Sequence, residues 1–231
     1  MKKKLLIMGG ALACLAGVGG IMAYFTDTDD ATNNFTIGEI EIDLQEPTWD
    51  RLPDTDDDDI PDEHEDILPG ETIEKDPKVL NTGVNDAYMF LEVKIPAAEV
   101  VTANANGTKN IRALTELFTF KHYAGEGDQR ALADGINPAW VQVNKSDVVD
   151  GYVTYVFAYG TSTAMTAVDP DAETPTLFDA VTFANIIEGQ NYEGSNLTIN
   201  VKAYGIQTTN VNGGVTDPVN VWLVVNNQVN G

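Results

Sequence analysis

The densest run of chemically competent side chains in this 231-residue sequence is Asp54-Thr55-Asp56-Asp57-Asp58-Asp59-Ile60-Pro61-Asp62-Glu63-His64-Glu65. Hard oxygen donors at alternating positions hold Ca²⁺, and a twelve-residue calcium loop takes its ligands from positions 1, 3, 5, 7, 9 and 12. Counted from Asp54, these are Asp54, Asp56, Asp58, the carbonyl of Ile60, Asp62 and Glu65, with Glu65 as the bidentate carboxylate. Position 6, where glycine normally makes the sharp turn, is Asp59, which must adopt a left-handed conformation that aspartate tolerates better than most residues. Bound calcium would neutralise part of the cluster and order it, and extracellular modules need only roughly 0.1 to 1 mM affinity. The competing reading is a solvated acidic loop that repels itself. Trp49, five residues before Asp54, offers a fluorescent reporter that separates the two.

The acidic run is also similar to the calcium repeats of thrombospondin type 3, whose Ile-Pro-Asp step stands here as Ile60-Pro61-Asp62, in one copy rather than an array. Other chemistries lack their parts. There are two histidines, His64 and His122, no H-E-x-x-H helix, no glycine-rich phosphate loop and no Gly-x-Ser-x-Gly elbow. His64 lies among Glu63, Glu65 and Asp66, where a lone histidine is ordinarily solvated. The single cysteine, Cys14, sits in the N-terminal apolar run, so neither thiol catalysis nor a disulfide framework is expected.

That N-terminal run reads as an export signal. Lys2, Lys3 and Lys4 precede an uncharged stretch from Leu5 to Met22, followed by the small residue Ala23, which places cleavage between Ala23 and Tyr24. A permanent membrane anchor is the alternative, because eighteen apolar residues reach the lower limit of a spanning helix. Gly9, Gly10, Gly17, Gly19 and Gly20 weaken that helix. Lipidation at Cys14 fits poorly, since the apolar run continues past it. Contact with the membrane is therefore expected only through an uncleaved signal, and the mature chain is expected to be secreted.

Without the three lysines the formal charge moves from −23 to −26, which disfavours nucleic acid as a partner and makes self-association sensitive to salt and divalent cations. Residues 24–231 are enough for one domain to bury its own core without a staple.

The elements that must position these groups are strands. Ile40, Ile42 and Leu44 alternate with Glu39, Glu41 and Asp43. The same period of two recurs in Met89, Leu91, Val93, Ile95; in Val153, Tyr155, Phe157, Tyr159; and in Leu197, Ile199, Val201, Ala203. Glu71 to Val79, Leu117 to Tyr123 and Trp140 to Val143 are shorter candidates, and segments 110–117 and 177–187 suit short helices, the latter equally a strand. The expected architecture is all-β, a jelly-roll-like two-sheet sandwich with short helical insertions, carrying an acidic loop at 46–70.

Three blocks resemble the TasA/camelysin family of secreted Gram-positive matrix proteins. Around the cleavage point, Ala23-Tyr24-Phe25-Thr26-Asp27 and Asn33-Asn34-Phe35-Thr36-Ile37-Gly38 look like the family's junction and first strand. Leu68-Pro69-Gly70-Glu71 through Lys75-Asp76-Pro77 to Asn81-Thr82-Gly83 is similar to its Pro-Gly turn and second strand, and Leu197 to Gln207 to its last long strand. The resemblance implies processing by a SipW-type signal peptidase and head-to-tail assembly into biofilm-matrix fibres, with Tyr24 to Phe35 of one copy completing a sheet of the next. It also implies, through camelysin, a metallopeptidase label for which the sequence shows no zinc-ligand set. A monomeric calcium-binding adhesin is the other alternative.

Overall fold

A computed structural model describes residues 39–55, 61–190, 192 and 195–230, all within one compact unit, Gly38–Gly231. The signal segment with its cleavage point at Ala23 and Tyr24, the donor segment Tyr24 to Phe35, and Asp56, Asp58 and Ile60 lie outside the described residues.

The described chain is an antiparallel β-sandwich, as its period-two patterning predicts. The longest strand, β4 (Ala87–Val100), is the axis of the main sheet. On one side it pairs with β12 (Asn200–Gln207), from Ala87↔Gln207 to Lys94↔Asn200. On the other it pairs with β9 (Tyr152–Tyr159), which in turn pairs with β8 (Trp140–Lys145) across an irregularity between Gln142 and Asn144. Two short strands, β5 (Ala113–Glu116) and β10 (Ala167–Val168), extend the pairing at either end of β4.

The second sheet runs β2 (Thr72–Glu74), β11 (Ala180–Phe183), β6 (Phe118–Ala124), β7 (Ala131–Asp134). A separate two-stranded ribbon joins β1 (Ile42–Gln45) to β3 (Lys78–Asn81).

The main sheet is covered on both faces, so β4 carries an almost unbroken apolar run. Met89, Leu91, Val93 and Ile95 face the second sheet and pack with Val153, Tyr155 and Phe157, while Phe118, Phe178, Val181 and Phe183 close the core from the opposite side. Tyr88 and Phe90 point the other way, into a smaller core with Val156, Ala158, Tyr204 and Ile206. That outer core is closed by the α-helix α1 (Pro218–Asn230), whose Val221, Trp222 and Val225 recur at helical spacing and are buried. Its start is orthodox: Asp217 Oδ1 accepts from the Asn220 amide at 3.0 Å, and Pro218 takes the first helical position.

The sequence-based helices at 110–117 and 177–187 are not formed. Those segments supply β5 and β11, because Thr182 and Phe183 can pair with Thr119 and Phe118 while Val181 and Phe183 fill the core. The helix lies instead at Pro218–Asn230, a run with five valines that the sequence patterning left unassigned.

Candidate functional site: the root of the acidic loop

The acidic loop leaves β1 through a single 3₁₀ turn, Trp49–Arg51, and returns through another, Asp62–His64. Its two limbs are tied together: the Asp62 amide donates to the Pro53 carbonyl at 2.9 Å, and the Thr55 amide and hydroxyl both donate to the Asp62 carboxylate, at 2.8 Å and 3.0 Å. It closes at Leu68-Pro69-Gly70-Glu71, a turn that needs Gly70 at φ +86° and in which Glu71 accepts from the Leu68 amide. Gly70 then donates to the Phe183 carbonyl on β11, anchoring the turn to the second sheet.

At the root of the loop, the Trp49 indole stacks on His64 with ring centroids 5.0 Å apart and carries the Lys75 ammonium 4.8 Å from its centre on a cation–π contact. Lys75 is only 7% exposed and pairs with Glu46 at 2.7 Å. Next to it, Asp76 accepts from the Thr48 amide and hydroxyl. The loop is thus stitched at its base to the link between β2 and β3. Two polar atoms there, Glu46 Oε1 and His64 Nε2, are buried with no hydrogen-bond partner.

Beside this root, a cleft of about 770 Å³ opens between the second sheet and the segment leading into β12. Its floor is apolar, with Ile73, Phe118, Val181 and Phe183, and its rim carries Trp49, His64 and Lys75.

Of the six residues picked out by calcium-loop spacing, Asp54, Asp62 and Glu65 fall among those described. Asp62 is occupied by Thr55, and Glu65 lines the cleft. Among the described residues no three His, Cys, Asp or Glu side chains come together as a metal-holding group. His122 stands on β6, in the sheet between β11 and β7, with Nδ1 buried and unpartnered, on a different element from His64.

Lys75 escaped the sequence reading, although a signal was there. Ile73, Lys75, Pro77 and Val79 share one register, all four are buried, and a lysine on such a face requires a partner. Asn81, fully buried, is the other omission: its Nδ2 donates to the carbonyls of Asn85 and Val168, and its Oδ1 accepts from the Gly83 amide. Gly83 is required because a Cβ there would stand 2.7 Å from the Glu39 carbonyl. The Asn81-Thr82-Gly83 step therefore fastens the turn before β4 against residues 39–41.

Fold and loop together define a β-sandwich protein with a strongly acidic loop on an aromatic, ion-paired base. A family model described as camelysin metallo-endopeptidase matches residues 1–211, and the chain belongs to that family, the TasA/camelysin group that the sequence blocks resemble. No curated protein and no solved structure matches it. The family description implies a catalytic metal, but among the described residues no three His, Cys, Asp or Glu side chains come together to hold one. Among the described residues, no helix is long and apolar enough to cross a membrane. The matched residues end at 211, before α1, which closes the outer face of the main sheet.

Proposed function

We propose that this is a secreted structural protein of the cell surface or biofilm matrix that assembles into fibres by donating Tyr24 to Phe35 of one copy to a sheet of the next. The observation that carries the reading is the extent of the family match, which takes in both that segment and the sandwich rather than the sandwich alone. Physical support comes from antiparallel sheets whose edge strands present unpaired backbone groups, the surface on which an extended segment gains main-chain hydrogen bonds. A SipW-type peptidase acting between Ala23 and Tyr24 would free the donor, so that export and assembly share one cleavage.

The test is electron microscopy of the chain starting at Tyr24 beside one starting at Thr36. Filaments in the first and none in the second are expected; filaments in neither refute strand donation and favour the monomeric adhesin.

The acidic loop serves in this reading as a calcium-responsive element, supported by its ligand spacing and by the contact of Trp49 with His64, which couples the loop's return to a fluorophore. Titrating calcium while following Trp49 emission should give a saturable change that magnesium at equal concentration does not reproduce. A metallopeptidase reading is refuted if purified protein cleaves no peptide substrate, or if cleavage survives replacing His64 and His122 together.

A further inference from the structure

Resting on the strand-donation reading, we infer that the free edge of β12 is the acceptor, and that a second copy's Tyr24 to Phe35 lies along it with its aromatic ends seated in two cavities. Among the described residues β12 pairs with β4 alone, and at eight residues it is the longest strand with a single partner; its rivals β8, β7 and β2 have six, four and three. Length matters because each paired residue of an added strand contributes to the ladder.

Two openings flank this edge. The cleft of about 770 Å³ includes Leu197 and Ile199, immediately before β12. A second, of about 410 Å³, is lined by Gly205, Ile206 and Gln207 at the strand's other end, with Ile40 and Val224. Both are partly apolar.

The donor's pattern fits this spacing. It has aromatic residues only at its ends, Tyr24 and Phe25 and then Phe35, with threonine, aspartate, asparagine and the single alanine Ala31 between. Phe25 to Phe35 covers ten residue steps, as does Leu197 to Gln207. At about 3.4 Å per residue either stretch spans roughly 34 Å in extended form. The polar middle, with Asp27, Asp29 and Asp30, would then lie opposite Lys202, the exposed cation at the midpoint of the acceptor.

Asp30 is the midpoint of Phe25 to Phe35 as Lys202 is of Leu197 to Gln207, so with the ends of those two stretches aligned the two stand opposite each other whichever way the donor runs. The experiment uses the chain from Tyr24, which lacks Cys14, and mixes copies carrying Asp30→Cys with copies carrying Lys202→Cys under mild oxidation. Parallel mixtures pair Asp30→Cys with Asn144→Cys on β8, Leu132→Cys on β7 or Thr72→Cys on β2.

A disulfide-linked dimer is expected for Lys202→Cys and for none of the rivals. Cross-linking at a rival, or filaments with no cross-link at Lys202→Cys, overturns the assignment while leaving strand donation standing. A disulfide formed within single copies of the Asp30→Cys/Lys202→Cys double variant at high dilution shows the segment on its own sheet and overturns exchange between copies. Absence of filaments from the unsubstituted chain removes strand donation itself.

Discussion

Replacing Asn81 tests whether the turn before β4 is held by one amide. Asn81→Ala strips a hydrogen-bond donor from the carbonyls of Asn85 and Val168, at a side chain that is 0% exposed, while the Gly83 amide keeps its bond to the Glu41 carbonyl at 3.0 Å. A buried group left unsatisfied costs about 1–3 kcal/mol; because Asn85 is partly accessible to water, the two carbonyls together should cost roughly 2–4 kcal/mol. That is a large share of the roughly 5–15 kcal/mol that holds an ordinary domain. Asn81→Asp keeps the shape but turns an acceptor-only carboxylate toward two carbonyl oxygens, so the folded state favours its protonated form and raises its pKa above the ordinary value of about 3.9. The sign follows: the variant comes closest to the parent below about pH 4 and loses stability as pH rises through the raised folded value. Even protonated, it offers one donor where the amide offers two. Urea unfolding followed by tryptophan fluorescence from pH 3.5 to 8, each variant compared with the parent at the same pH, measures both effects. An alanine variant within 1 kcal/mol of the parent, or an aspartate variant whose deficit is flat across that range, would refute the reasoning.

Three further outcomes follow from the packing. Trp222→Ala removes the ring that meets Phe90 and Tyr204 at 5.4 Å each and should cost about 3–5 kcal/mol by denaturant unfolding, with α1 losing protection in hydrogen exchange before β4 does. Glu46→Ala leaves the buried Lys75 ammonium uncompensated and should cost about 3 kcal/mol, whereas Glu46→Leu with Lys75→Met should recover most of it, read as denaturation midpoints. Burial first, and then its hydrogen bond to Glu116 at 2.6 Å, push the Tyr155 hydroxyl up, outweighing the opposite pull of Lys145; the stability it contributes is intact below about pH 10 and lost as pH rises through the folded value, so Tyr155→Phe should flatten the alkaline limb of the stability profile.

The strands that alternate cleanly were legible. Met89 to Ile95, Val153 to Tyr159, Leu117 to Tyr123 and Trp140 to Val143 all became paired strands, because one buried face imposes a period of two. What the pattern hid was the outer core. Tyr88 and Phe90 interleave with Met89 and Leu91, a doubly apolar run that calls for cover on both faces, but the covering helix is itself rich in β-branched valine and announces itself only through Asp217-Pro218 and the spacing of Val221, Trp222 and Val225. At the loop, spacing marked ligand positions, but the base that carries the loop depends on Glu46 and Lys75, 29 residues apart in sequence and joined only by folding. Asn81 was visible as part of a family block, but not as the amide that secures it.

The eight-pair ladder between β12 and β4 also decides how the domain bears tension. Its hydrogen bonds lie perpendicular to the strands, so a pull along the strand axis loads the whole ladder at once in shear, while a pull across the sheet peels the pairs apart one after another. A donor lying along the same edge would inherit that geometry, making such a fibre stiff and slow to rupture when stretched end to end, and weak where a neighbour is dragged sideways.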